Sequence, residues 1–128
     1  MDWNIGYVTD AQYFVVTTAG NYDSRDHQMM IAEILSHDAW QPNANTLFDS
    51  RELSFVGSEL ADIFAASATH QANDQQIGTG RTAMVVVRPS DLGVMRQFQL
   101  ISEDVVSSKL QIFEDVDLAI DWLLSNSN

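Results

Sequence analysis

The chain has 128 residues, of which 45% are apolar, so we predict a single folded domain over residues 1–128. It contains no cysteine, which excludes disulfides, zinc–thiolate sites and cysteine nucleophiles. Eighteen acidic residues against six basic ones give a net charge of −12, and such a surface disfavours nucleic acid and anionic membranes as partners.

The N-terminal region predicts two strands that are joined by a tight turn. Trp3, Ile5 and Tyr7 alternate with polar residues or glycine, as in a strand with one buried face. Residues 13–16 form an aromatic and β-branched run that is typical of a strand buried on both faces. Residues 9–11 are short enough for a hairpin turn, so we expect the first strand to run antiparallel at an edge of the sheet.

A helical pattern replaces the strand pattern after Gly20. Asp23 is the expected N-cap, and Pro42 bars any continuation of the helix. One apolar stripe runs along this helix: Met30, Ile31, Ile34 and Leu35.

Strand and helix patterns then alternate to the end of the chain. Short strands are predicted at residues 46–48, 83–87 and 110–113, and a polar loop is predicted at residues 70–79. The three helices that follow these strands are expected to begin at Ser54, at Pro89 and at Asp115. Their predicted apolar stripes are Val56, Leu60, Ile63 and Phe64; Val94, Met95, Phe98 and Ile101; and Val116, Ala119, Ile120, Leu123 and Leu124.

This order, β-β-α-β-α-β-α-β-α, predicts an α/β fold with a mixed, mostly parallel five-stranded sheet and about four helices. Consecutive strand–helix units require right-handed crossovers, which make neighbouring strands parallel.

Three segments carry a resemblance to a known family. They are Trp40-Gln41-Pro42 leading to Leu47-Phe48-Asp49 and Arg51; Arg81 with the strand at 83–87 and the sequence of residues 93–98; and residues 112–115 followed by Ala119 and Trp122-Leu123. In this order they resemble the SpoIIAA-like domains, which are relatives of the STAS domains of anti-sigma-factor antagonists and of the CRAL-TRIO fold. The resemblance implies a five-stranded mixed sheet covered by helices, and it does not imply an activity.

The same resemblance draws attention to Ser58. STAS antagonists are phosphorylated on a serine that follows an aspartate at the start of the second helix, and Ser58 is the nearest match. The residue before it is Gly57 instead of aspartate, and the turn is one residue shorter than the family pattern. We therefore predict that Ser58 is unmodified in cells. Stoichiometric phosphate on Ser58 in protein purified from its own host would contradict this prediction.

Polar residues at the carboxyl ends of the third and fourth strands form a second candidate site. Ligands of open α/β sheets collect at these strand ends, and arginines near a helix N-terminus can bind a small anion. Asp49 and Ser50 follow the third strand. The alternative to anion binding is that the arginines pair with acidic residues of the chain itself. The candidate anion-binding residues are Arg51, Arg88, Ser90, Gly93 and Arg96.

Other site chemistries lack their residues. His27, His37 and His70 do not have the spacing of a metal site, and no strand is followed by a nucleophile elbow or a glycine-rich phosphate loop. A phosphoreceiver domain would need an acidic pair near Asp10 and a lysine after the fifth strand, whereas Lys109 precedes the last strand. We predict no metal and no cofactor.

Our leading hypothesis is a non-enzymatic regulatory or ligand-binding domain that acts through a protein partner or a small apolar or anionic ligand. One alternative is an enzyme with Asp49 as base and Arg88 or Arg96 as anion holder, and another is a lipid carrier. A homodimer stays open. The N-terminus lacks the basic and apolar regions of a secretory signal and no apolar run could span a bilayer, so we expect a cytoplasmic protein.

Overall fold

Five strands and five helices follow one another along residues 1–125, the part of the chain that this computed structural model describes. The strands are β1 (Asp2–Val8), β2 (Tyr13–Asn21), β3 (Asn45–Ser54), β4 (Arg81–Val85) and β5 (Lys109–Phe113). The helices are α1 (Ser24–Leu35), α2 (Leu60–Ala72), α3 (Asp74–Ile77), α4 (Pro89–Ser102) and α5 (Val116–Leu124).

The strands form one sheet in the order β1-β2-β3-β4-β5. β1 pairs antiparallel with β2 at the edge, and every other neighbouring pair is parallel. The predicted α/β fold class, the hairpin and the antiparallel edge strand are therefore confirmed.

The connecting helices cover one face of the sheet and α5 covers the other. Because β2 to β5 are added in sequence order, right-handed crossovers place α1, α2 and α4 on the same side. Val16, Met84 and Val86 point to that side, where Val16 packs against α1 and Met84 packs against α2 and α4. Leu47 and Ala83 point the other way and pack against α5.

Two of the predicted N-caps are confirmed. The Asp23 carboxylate accepts hydrogen bonds from the backbone N–H groups of Arg25 and Asp26 at 2.9 and 3.0 Å, and the Asp115 carboxylate accepts one from Leu118 at 3.0 Å. Each satisfies donors that the first helical turn leaves without partners.

The second helix differs from the prediction. Ser54 ends β3 instead of capping a helix, because residues 52–54 continue the parallel pairing with β2, and α2 begins only at Leu60 with Glu59 as N-cap. Val56 is therefore 89% exposed in the loop and Phe64 is 52% exposed. The buried residues of α2 are Ile63, Ala66, Ser67, Thr69 and His70.

The predicted loop at 70–79 is also wrong in part. α2 continues to Ala72, and α3 adds a further short helix to the four that the sequence predicted. In α5 the predicted stripe holds for Ala119 and Leu123, which are buried, while Leu124 is 44% exposed.

Candidate functional site

A cavity of about 70 Å³ lies between the sheet and the helices α1, α2 and α4. The strands contribute Thr18, Phe48, Ser50, Leu53, Thr82 and Met84 to its wall. The helices contribute His27, Met30, Asp62, Ile63, Ala66, His70, Val94, Met95 and Phe98, and Met1, Tyr22, Phe55 and Ser58 complete it.

Small side chains explain why this space is not filled. Thr18, Ser50 and Thr82 are buried on three adjacent strands, on the face of the sheet that α1, α2 and α4 cover. A branched aliphatic side chain at these positions would fill more of the core. β3 carries one extra residue opposite β2 between the pairs Thr17–Asp49 and Ala19–Glu52, which locally disrupts the ladder. Ala66 on α2 lines the cavity as well.

Two of these small residues are hydrogen-bonded to each other. The Thr18 hydroxyl donates to the Ser50 hydroxyl at 3.0 Å, and both residues are at least 96% buried. Two hydroxyl groups carry two hydrogens, and this contact uses one of them. The second hydrogen has no acceptor among the described residues.

Two histidines meet in the cavity wall. His27 on α1 and His70 on α2 approach with their Nε2 atoms 3.1 Å apart, so one ring donates its N–H to the other. Burial lowers the pKa of His27 to about 3, with a smaller contribution from the charge of His70, and burial lowers the pKa of His70 to about 4. Both rings are therefore neutral at physiological pH.

Tyr22 precedes α1 and has a buried hydroxyl with no hydrogen-bond partner among residues 1–125. Its ring stacks on Phe55 with centroids 5.4 Å apart and meets the edge of His27 at 5.7 Å. Burial raises the pKa of this hydroxyl, and the charges of Asp62 and Asp23 raise it further. The hydroxyl is consequently a protonated donor in a region of negative potential.

The predicted site residue Arg51 lies away from this cavity. Its Nε and Nη2 atoms bind the two carboxylate oxygens of Asp49, each at 2.8 Å. Asp49 lies two residues after Leu47, on the face of the sheet that α5 occupies. The pairing raises the pKa of Arg51 and lowers that of Asp49.

The other predicted anion-site residues lie at or near the start of α4, and none of them lines the cavity. Arg88 Nε donates to the Asp91 carboxylate at 2.7 Å, and its Nη2 donates to the Leu53 carbonyl. Asp91 is 4% exposed, so a carboxylate of the chain itself lies at the positive end of this helix.

Ser90, Gly93 and Arg96 are exposed on the same helix. A Cβ at Gly93 would meet no atom within 4 Å, so this glycine is not required by a close approach in the structure. Arg96 has no ion pair among the described residues. The anion site at these residues stays a prediction.

Ser58 lies in the loop before α2 and lines the cavity. Its backbone N–H donates to the Phe55 carbonyl at 3.0 Å, and its side chain is half-buried. The prediction that Ser58 is unmodified in cells is untested.

Sequence reasoning missed the cavity because it placed His70 in a loop and treated the histidines separately. One signal was present in the spacing of Ile63, Ala66, Ser67 and His70, which is i, i+3, i+4, i+7. This stripe extends α2 past residue 70 once small residues are accepted as inward-facing. Within residues 1–125, no three histidine, aspartate or glutamate side chains are grouped so that they could hold a metal ion.

The chain is similar in structure to an uncharacterized protein of the DUF3478 family with a SpoIIAA-like fold from Shewanella loihica PV-4. The TM-score is 0.62 at 18% sequence identity, and the match covers 95% of this chain and 92% of the other. No protein-family model and no curated protein matches the chain. The fold is therefore SpoIIAA-like, as the sequence resemblance predicted. Among the described helices, none is both long and apolar enough for a membrane span.

Proposed function

We propose that this domain is a non-enzymatic ligand-binding module that takes the apolar part of a small molecule into the cavity beneath α1, α2 and α4. The observation that carries the proposal is the unfilled apolar space itself. Protein interiors are otherwise packed to the density of organic crystals, and an empty cavity of this size lowers stability by about 2 kcal/mol. A bound apolar group would restore the missing contacts.

The polar groups of the cavity favour binding over catalysis. The two histidine Nε2 atoms engage each other, and the Thr18 and Ser50 hydroxyls engage each other. A nucleophile needs a base within hydrogen-bond reach, and neither histidine is hydrogen-bonded to a hydroxyl group of the described residues.

Methionine methyl NMR tests this proposal directly. Met1, Met30, Met84 and Met95 line the cavity, whereas Met29 is 60% exposed and is a built-in control on the same helix as Met30. In protein labelled at the methionine methyl carbons, small apolar probes such as methylenecyclopentane should shift the four cavity signals and leave the Met29 signal unchanged.

A matched pair of variants locates the binding. Ala66→Leu fills the cavity from α2 and should abolish the shifts, while Ala68→Leu adds the same side chain at an exposed position of the same helix and should bind as the parent does. If Ala66→Leu overpacks the site and unfolds the domain, Ala66→Val is the smaller substitute. Probe binding that survives in a folded cavity-filled variant would contradict the proposal.

We propose further that occupancy of the cavity regulates contact with a protein partner. Ser58 lines the cavity, and the loop and helix around it expose Val56, Leu60 and Phe64, which are 89%, 55% and 52% accessible. The segment that contributes Ser58 to the cavity wall therefore also presents an exposed apolar surface. Saturation with methylenecyclopentane should raise the hydrogen-exchange protection of amides 58–64. Unchanged exchange there would contradict the proposed regulation and leave the proposed ligand binding intact.

A further inference from the structure

The Tyr22 hydroxyl gives the cavity a chemical preference. It is buried, it has no partner among the described residues, and its ring is fixed by Phe55 and His27. A buried donor that has lost its water and gained no acceptor destabilises a protein by about 1–3 kcal/mol. A ligand that supplies an acceptor atom would remove this penalty on binding.

Two further hydroxyl-bearing residues that line the cavity, Thr18 and Ser50, have the same donor chemistry. The Thr18–Ser50 pair leaves one hydroxyl hydrogen without an acceptor, so this part of the wall also has a donor to offer.

The charges around the cavity exclude an anion as the favoured ligand. Asp62 lines the cavity, and within residues 1–125 no lysine or arginine side chain does. The ammonium group of Met1 is bound by the Asp26 carboxylate at 3.0 Å, and the two histidines are neutral. A carboxylate or phosphate would enter a site of negative potential without a free counter-charge.

We infer that the ligand is a neutral molecule whose apolar end carries an oxygen acceptor, such as a carbonyl, that accepts a hydrogen bond from Tyr22. This inference rests on the proposed function, because it assigns the chemistry of the same cavity. The volume of about 70 Å³ limits the enclosed part to a few heavy atoms, so the remainder of a larger ligand would lie outside.

Two pairs of probes test the acceptor and the charge separately. Cyclopentanone and methylenecyclopentane have nearly the same shape, but cyclopentanone has a carbonyl oxygen where methylenecyclopentane has a CH₂ group. Isobutyramide and isobutyrate differ in charge. Dissociation constants are measured from the methyl shifts of Met1, Met30, Met84 and Met95, with exposed Met29 as the reference.

Tyr22→Phe removes only the hydroxyl oxygen and should weaken cyclopentanone binding roughly two- to tenfold. Binding of methylenecyclopentane should be unchanged in the same variant. Tyr13→Phe is the matched control, because Tyr13 is buried against the α5 face of the sheet, outside the cavity wall. Isobutyramide should bind more tightly than isobutyrate to the parent protein.

The outcomes separate this inference from the proposed function. Equal loss or equal retention of both cyclic probes in Tyr22→Phe would overturn the hydrogen bond while leaving the cavity as a binding site. Tighter binding of isobutyrate would overturn the neutral ligand. Absence of any shift at the four cavity methionines, with all four probes, would overturn the proposed function and the inference with it.

Discussion

At the scale of single residues, the histidine pair makes folding stability depend on pH. The pKa values of His27 and His70 are about 3 and about 4 in the folded protein, against about 6.5 in an unfolded chain. Between pH 6.5 and pH 4 the unfolded state therefore binds protons that the folded state excludes. Stability contributed by these neutral rings is complete above pH 6.5 and is lost as the pH falls.

The expected slope in this window is up to about 1.4 kcal/mol per pH unit for each histidine. Urea unfolding at a series of pH values measures it. His70→Gln removes one of the two titrating groups and should roughly halve the slope between pH 6.5 and 5. A parent protein whose unfolding free energy is flat over that interval would show that the rings are already protonated or exposed.

Arg88 contributes to the stability of the folded domain. An exposed arginine at a strand end contributes little to folding, but Arg88 binds the buried Asp91 carboxylate at 2.7 Å and the Leu53 carbonyl as well. Arg88→Ala should therefore lower the free energy of unfolding by about 1 kcal/mol, a small figure because the arginine itself is half exposed.

Arg96→Ala is the control for Arg88→Ala, since Arg96 has no ion pair in the described part of the chain. Its stability should equal that of the parent in urea unfolding. The same two variants test the predicted anion site: phosphate that raises the melting temperature of the parent and of neither variant would establish it.

At the scale of elements, the sequence predicted strand existence and order better than helix boundaries. The hairpin, the parallel strands and the N-caps Asp23 and Asp115 depend on local patterns, and local patterns are visible in sequence. The end of β3 depends instead on its pairing with β2, which carries the strand through Ser54. Because this non-local pairing is not visible in the sequence, the predicted start of α2 was wrong as well.

The candidate site was less predictable for the same reason. His27 and His70 are 43 positions apart in sequence, and only the packing of α1 against α2 brings their rings together. Arg51 and Arg88 follow strand ends, which predicts a ligand there, but the carboxylates that pair with them lie only two and three positions away in sequence. Short-range pairing is the alternative that the sequence left open for these two arginines, and the anion site itself stays a prediction.

The last helix allows a prediction with an internal control. Leu123 is 2% exposed and packs with Leu47, Val85 and Ala119, whereas its neighbour Leu124 is 44% exposed. Leu123→Asp would bury an unpaired charge and should destabilise the domain by several kcal/mol or unfold it. Leu124→Asp should change stability by less than about 1 kcal/mol. Similar melting curves for the two variants, followed by circular dichroism, would contradict the orientation of α5.

At the scale of the whole molecule, charge is the dominant feature. Eighteen acidic side chains face six basic ones, and two of those basic ones, Arg51 and Arg88, are in ion pairs within residues 1–125. Self-repulsion among so many like charges weakens the compact state, while the ion pairs that salt would weaken number three within residues 1–125.

Added salt should therefore stabilise this domain. The Debye length falls from about 30 Å at 0.01 M to about 10 Å at 0.1 M salt, which screens repulsion between distant carboxylates first. Thermal unfolding at pH 7.5 should show a melting temperature that rises with sodium chloride over this range, and an equal concentration of uncharged glucose should have a smaller effect. At this pH the histidine pair is neutral in both states, so screening alone is measured. A melting temperature that falls with salt would mean that attractive pairs outweigh the repulsion of the net charge of −12.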